Sequence, residues 1–150
     1  MSFRPHWFVI HNTGSADRVG AFDANNIRHI LFERKLGGYH VIDEMIDGVY
    51  WPSILNRLDR AAEHVAHHNS EAVGWSFIGD FNATSPAPEM LAQAAPHVAA
   101  LLHRFDLGPD ALIAHRDVPQ NDTDCPGTLF TKDVFEKFRT IVAEQWMATE

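Results

Sequence analysis

The sequence predicts an α/β fold, a single domain with a central mixed β-sheet flanked by helices. Three observations carry this expectation. Short aromatic or β-branched runs of strand length recur along the chain, two long segments repeat apolar residues at the helical period, and the two kinds interleave. A chain of 150 residues with 45% hydrophobic content fits one domain, 1–150, with a substantial core and no internal repeat or linker.

The elements follow in order. Trp7-Phe8-Val9-Ile10 reads as a buried strand that ends in the polar loop His11-Asn12-Thr13-Gly14-Ser15. Ile27, Ile30 and Leu31 suggest a helix from about Asp23 to Lys35, stopped by Gly37-Gly38. Tyr39 to Asp43 and Val49 to Trp51 are two strands joined by a turn at Asp47-Gly48, with Glu44 to Ile46 either strand or turn. Between Pro52 and His68 the pattern offers a short helix around Leu58 to Val65. Val73 to Gly79 is a central strand, and Pro88 can open a helix. Leu91, Ala94, Ala95, Val98, Leu101, Leu102 and Phe105 keep the helical period to the stop at Leu107-Gly108-Pro109. Leu112-Ile113-Ala114 is a last short strand, and Thr131 can cap a final helix carrying Val134, Phe135, Phe138, Ile141, Val142 and Trp146 on one face.

Composition narrows the function. A formal charge of −8 argues against a nucleic-acid footprint or polybasic attachment to anionic membranes. No window of about 18 apolar residues offers a membrane span. Met1 to His6 lacks the features of a signal peptide, so cytoplasmic synthesis without an export signal is expected. A single cysteine rules out an internal disulfide framework.

The chemistry gathers at His115 to Cys125, where a histidine and the lone cysteine lie ten residues apart across a polar loop. His11 and His115 each follow an apolar strand. If those strands are neighbours, both imidazoles emerge at one rim and Cys125 can complete a three-ligand set with an open position, the catalytic zinc arrangement. Taken singly, either histidine reads more readily as a hydrogen-bonded structural residue, and Cys125 as a small buried hydrophobe. The setting of Cys125 beside Asp122, Asp124, Pro126 and Gly127 is too polar to suit the latter. Tyr39 alone reads as a strand tyrosine, His40 as structural on the opposite face, and His67 and His68 as loop residues. His29, His97 and His103 read as solvated, Trp75 and Trp146 as packing residues, and Trp51 as core or cleft edge.

Four collinear blocks give these residues a context: Val9 to Thr13, Gly38 to Asp43, His64 to Asn82, and Ala114 to Gly127. Over nearly its whole length the chain resembles the zinc-dependent N-acetylmuramoyl-L-alanine amidases of the peptidoglycan recognition protein and phage lysozyme type. The resemblance implies His11, His115 and Cys125 as ligands of one zinc ion per chain. It implies Tyr39 as the tyrosine assisting catalysis and Thr123 as hydrogen-bond donor to the developing oxyanion, where the phage enzymes have lysine. It places His64 and Asn69 along the substrate cleft. The wall-recycling relatives have a glutamate where this chain has Ser76 and an aspartate as third ligand, so the lytic and recognition branch is the better match. The turn at Arg34 to Gly37 is shorter than in the family.

The resemblance implies zinc-assisted hydrolysis of the amide between N-acetylmuramic acid and L-alanine, on peptidoglycan reached after release or delivery, as an endolysin would. The alternative is a module that binds muropeptides without cleaving them. Because non-catalytic relatives typically lose the cysteine, the presence of Cys125 favours the enzyme.

Overall fold

The computed structural model describes residues 3–14 and 38–149. The helix expected near Asp23 to Lys35 and the turn at Arg34 to Gly37 lie outside them.

Among the described residues five strands form one sheet: β1 (Trp7–Asn12), β2 (Val41–Ile46), β3 (Val49–Ile54), β4 (Ala72–Phe77) and β5 (Leu112–Ala114), in the order β3-β2-β4-β1-β5. β1 runs parallel to both β4 and β5, β2 runs parallel to β4, and only β3 is antiparallel to its neighbour. The interior strands read as near-continuous apolar runs because both of their faces are covered, and every residue of β4 is buried. Glu44 to Ile46 continue β2, and Asp47 (φ 51°) with Gly48 (φ 80°) make the tight turn into β3. Pro52 is tolerated within β3 because this strand is an edge. Trp51 projects from that edge and is 50% exposed, so it is not a core residue.

Two long helices among the described residues cover one face, α1 (Pro88–Arg104) and α2 (Lys132–Ala148). Pro88 occupies the first turn of α1, and the Thr131 side chain accepts a hydrogen bond from Val134 N at 3.2 Å to cap α2. Phe8, Ile10, Val73, Trp75 and Phe77 alternate toward these helices and pack with Val98, Leu102, Phe135, Phe138 and Val142. His103, expected to be solvated, instead stacks on Trp146 at 4.8 Å and bonds its backbone carbonyl, tying the two helices together.

The opposite face receives the intervening residues: Val9 and Ala72 pack there with Val65 and Val118. By the same alternation His11, Gly74 and Ser76 share that face, with His11 in register with Ser76. No helix forms at Leu58 to Val65; the segment is a series of turns and bends. Side chains take up its backbone groups instead, Asn69 Oδ1 accepting from the amides of His64 and Val65, and His40 Nε2 bonding the Arg60 carbonyl.

Candidate metal centre

The parallel strands converge at their carboxyl ends, where open α/β sheets place their ligands. β1 delivers His11 there as its penultimate residue, and β5 passes directly into a short turn that starts at His115. The loop after it returns Cys125 to the same point. Its shape is set by Arg116, whose guanidinium donates to the backbone carbonyls of Asp124, Gly127 and Phe130, while its amide donates to Cys125 O at 2.9 Å. Gly127 adopts φ 122°, and a Cβ there would lie 2.6 Å from the Phe81 carbonyl carbon, so the loop closes only on glycine.

One ligand atom from each of His11, His115 and Cys125 lies within 4.8 Å of the others. Cys125 Sγ is 3.6 Å from His11 Nδ1 and accepts from Asn12 N at 3.4 Å. His115 Nε2 donates to Asn121 Oδ1 at 2.8 Å, and the same amide is fixed by donating from Nδ2 to the carbonyls of Ala66 and Pro119. The other ring nitrogen, His115 Nδ1, is buried with no hydrogen-bond partner among the described residues. An orphaned buried imidazole nitrogen is costly unless something takes its lone pair. Two imidazole nitrogens and a sulfur make a donor set that suits zinc, with room for a fourth position.

Electrostatics favour the neutral imidazoles that metals need. Burial, reinforced by His64 and His115, lowers His11 far below its ordinary range; burial also lowers His115, and brings His64 to about 4. Burial pushes the Cys125 thiol up to about 11, opposed by the Asn12 amide and Arg116. The Tyr39 hydroxyl is raised to about 12 by burial and by the neighbouring Cys125, against a hydrogen bond with Ser76.

A cleft of about 390 Å³ opens over these atoms, lined by His11, Tyr39, Glu63, His64, His115, Thr123 and Cys125 among others. Tyr39 and His40 both precede β2, so strand alternation does not separate them: the Tyr39 ring lies 4.9 Å from His11 and the His40 ring 5.7 Å from His64. His40 is fully buried and holds Gly74 N at 3.0 Å through Nδ1. Thr123 Oγ1 accepts from Cys125 N at 3.2 Å, which leaves its own proton free to donate. His64 lines the cleft and also bonds His11, Nδ1 to Nε2, at 2.9 Å. Asn69 is not among the lining residues; it shapes the turn that carries His64. A larger hollow of about 590 Å³ lies between β5 and α2 and contains none of the three candidate ligands. Asn121 and Arg116 escaped the sequence reading. Their only signal was a place in the loop between the two candidate ligands, because their partners are mostly backbone groups, which residue type does not reveal.

The fold thus brings three candidate metal ligands together in a cleft at the rim of an α/β sheet. That fold is shared with the endolysin N-acetylmuramoyl-L-alanine amidase LysCS from Clostridium intestinale URNW, at 23% identity and a TM-score of 0.71 over 90% of this chain and 83% of that one. Staphylococcus aureus hydrolase AmiA, solved with its ligand, aligns with a TM-score of 0.73 at 14% identity over 97% of this chain and 75% of its own. Escherichia coli AmiD, an N-acetylmuramyl-L-alanine amidase solved with anhydro-N-acetylmuramic acid-L-Ala-D-gamma-Glu-L-Lys, aligns at 18% identity and a TM-score of 0.66, covering 90% of this chain and 57% of AmiD. No curated protein sequence matches the chain. The family model for N-acetylmuramoyl-L-alanine amidase matches residues 2–128, and the chain belongs to that family.

Proposed function

We propose that this chain is a zinc-dependent amidase, one domain over residues 1–150, that hydrolyses the bond between N-acetylmuramic acid and L-alanine in peptidoglycan. The observation that carries the reading is the convergence of His11, His115 and Cys125 ligand atoms within 4.8 Å beneath a cleft, in a chain of this family. Those three residues would hold one zinc ion, and three protein ligands leave the open position of a catalytic site. A bound zinc ion supplies Lewis acidity, polarising the amide carbonyl and acidifying a coordinated water. Thr123, its oxygen engaged by the Cys125 amide, turns its hydroxyl proton toward the developing oxyanion of the substrate. Tyr39, raised to about 12 by burial and the nearby Cys125, keeps its proton at neutral pH, and it or a histidine of the cleft would protonate the leaving amine. The likeness to an endolysin amidase supports a lytic role, on peptidoglycan reached after release or delivery.

The test is release of new L-alanine amino groups from purified peptidoglycan in the presence of zinc. The wild-type chain is expected to release them, and Cys125→Ala to lose both zinc retention and release. Binding of muropeptides by the wild type with no amine released would make the chain a recognition module. Tyr39→Phe is expected to lower turnover with zinc content intact; loss of the metal would assign Tyr39 a structural role.

A further inference from the structure

His64 supplies no ligand atom, yet its ring is held as tightly as those that do. Its Nε2 lies 2.9 Å from the Ala72 carbonyl oxygen. A carbonyl only accepts, so this nitrogen carries the ring proton and leaves Nδ1 of the neutral ring bare. That bare nitrogen lies 2.9 Å from His11 Nε2, which must therefore be the N–H donor of the pair. A neutral His11 ring protonated at Nε2 has its lone pair on Nδ1, the atom 3.6 Å from Cys125 Sγ. Each ring in the series thus fixes the proton position of the next, starting from one backbone carbonyl.

The backbone beneath is built around this placement. A Cβ on Gly74 would lie 2.7 Å from His64 Nδ1 and 2.8 Å from Cγ, so any side chain at this point of β4 would push the ring off its partner. Asn69 fixes the other end by accepting from the His64 and Val65 amides, both at 2.9 Å. The other candidate histidine is treated the same way: Asn121 takes the Nε2 proton of His115 and leaves Nδ1 bare.

We propose that His64 is a positioning residue that selects the Nε2–H tautomer of His11, through the series Ala72 carbonyl, His64, His11, and so presents the His11 Nδ1 lone pair to the metal. The inference takes its metal from the proposed function, but the tautomer itself is a property of the zinc-free protein. Outer partners of metal-bound histidines commonly act in this way, and their loss weakens metal binding about 10–100-fold.

The experiment compares wild type, His64→Leu and His64→Asn. The asparagine carries a carbonyl oxygen about where the imidazole has Nδ1, so it restores the acceptor but not the bond to Ala72. Nitrogen–proton correlation spectra of the zinc-free proteins at about pH 8, above the ordinary imidazole range, report the tautomer of His11. Chelator competition reports zinc affinity, and urea unfolding reports stability. Expected are a single Nε2–H tautomer in wild type, a mixture in His64→Leu with zinc affinity about 10–100-fold weaker, and near-wild-type tautomer and affinity in His64→Asn. Because both variants lose the Ala72 bond, a merely structural role would weaken zinc equally in the two, and that result overturns the proposal. So does an Nδ1–H tautomer of His11 in the wild type, a measurement that needs no variant to fold. An Nε2–H wild type that retains no zinc would sustain the tautomer selection and remove the metal reading instead.

Discussion

Zinc binding at neutral pH should expel one proton more from the wild-type protein than from Cys125→Asp. Burial, opposed by the Asn12 amide and Arg116, lifts the Cys125 thiol from 9.0 to about 11. That rise sets about 3 kcal/mol against the thiolate. At pH 7 the thiol is therefore fully protonated, and a cation that binds thiolate must displace the proton. Burial lowers His11 and His115 and brings His64 to about 4, which favours neutral rings before the metal arrives, and any histidine contribution is common to both proteins. A binding step that releases one proton tightens tenfold per pH unit, and the slope persists until the pH approaches the thiol's own value of about 11. A carboxylate at position 125 is already ionised at neutral pH and lacks this slope. Any proton lost from a coordinated water is common to both proteins and cancels in the difference. Calorimetric titration in two buffers of different ionisation enthalpy counts the protons, and the expected difference is about one. A difference near zero would mean that the thiolate already exists in the free protein, and the argument from burial would be wrong.

Three further outcomes follow from the same structure. The zinc-free protein should lose stability as the pH falls from 6.5 toward 4, because His64 is depressed from 6.5 to about 4 and the unfolded chain takes up its proton first. This group alone accounts for about 3 kcal/mol, present above the unfolded value and lost on acidification. Urea midpoints that stay flat across that window would contradict the burial of neutral imidazoles. Gly127→Ala combines φ 122° with a Cβ 2.6 Å from a backbone atom of Phe81, so it should cost about 2 kcal/mol or more in urea unfolding and weaken zinc retention through displacement of Cys125. Phe138→Ala empties a fully buried site against Phe77, whose ring centroid lies 5.9 Å away, and should cost about 3–5 kcal/mol with the tautomer of His11 unchanged.

Most of the sheet and both long helices could be read along the chain because their signals are local. Strand runs such as Trp7 to Ile10 are apolar on both faces, and α1 and α2 each repeat a single apolar stripe. The segment from Pro52 to His68 could not be read this way. Its backbone groups are satisfied by His40, Asn69 and Asn121, two of them from other parts of the chain. Only the expected opposition of the Tyr39 and His40 side chains fails, for a related reason: both precede β2 by one or two residues, where alternation no longer governs direction.

The sequence by itself determined the fold class, the strand ends at which His11 and His115 emerge, and the chemical identity of the donor set. Those follow from periodicity and residue type, which are properties of neighbours along the chain. Only the tertiary structure decided that β1 and β5 are adjacent, that Cys125 returns to within 3.6 Å of His11 Nδ1, and which nitrogen of each ring is left bare. An imidazole offers two nearly equivalent nitrogens, and the choice between them is made by what the other one touches. For His11 that is His64, which lies far away in sequence and rests against a glycine with no side chain to keep it out.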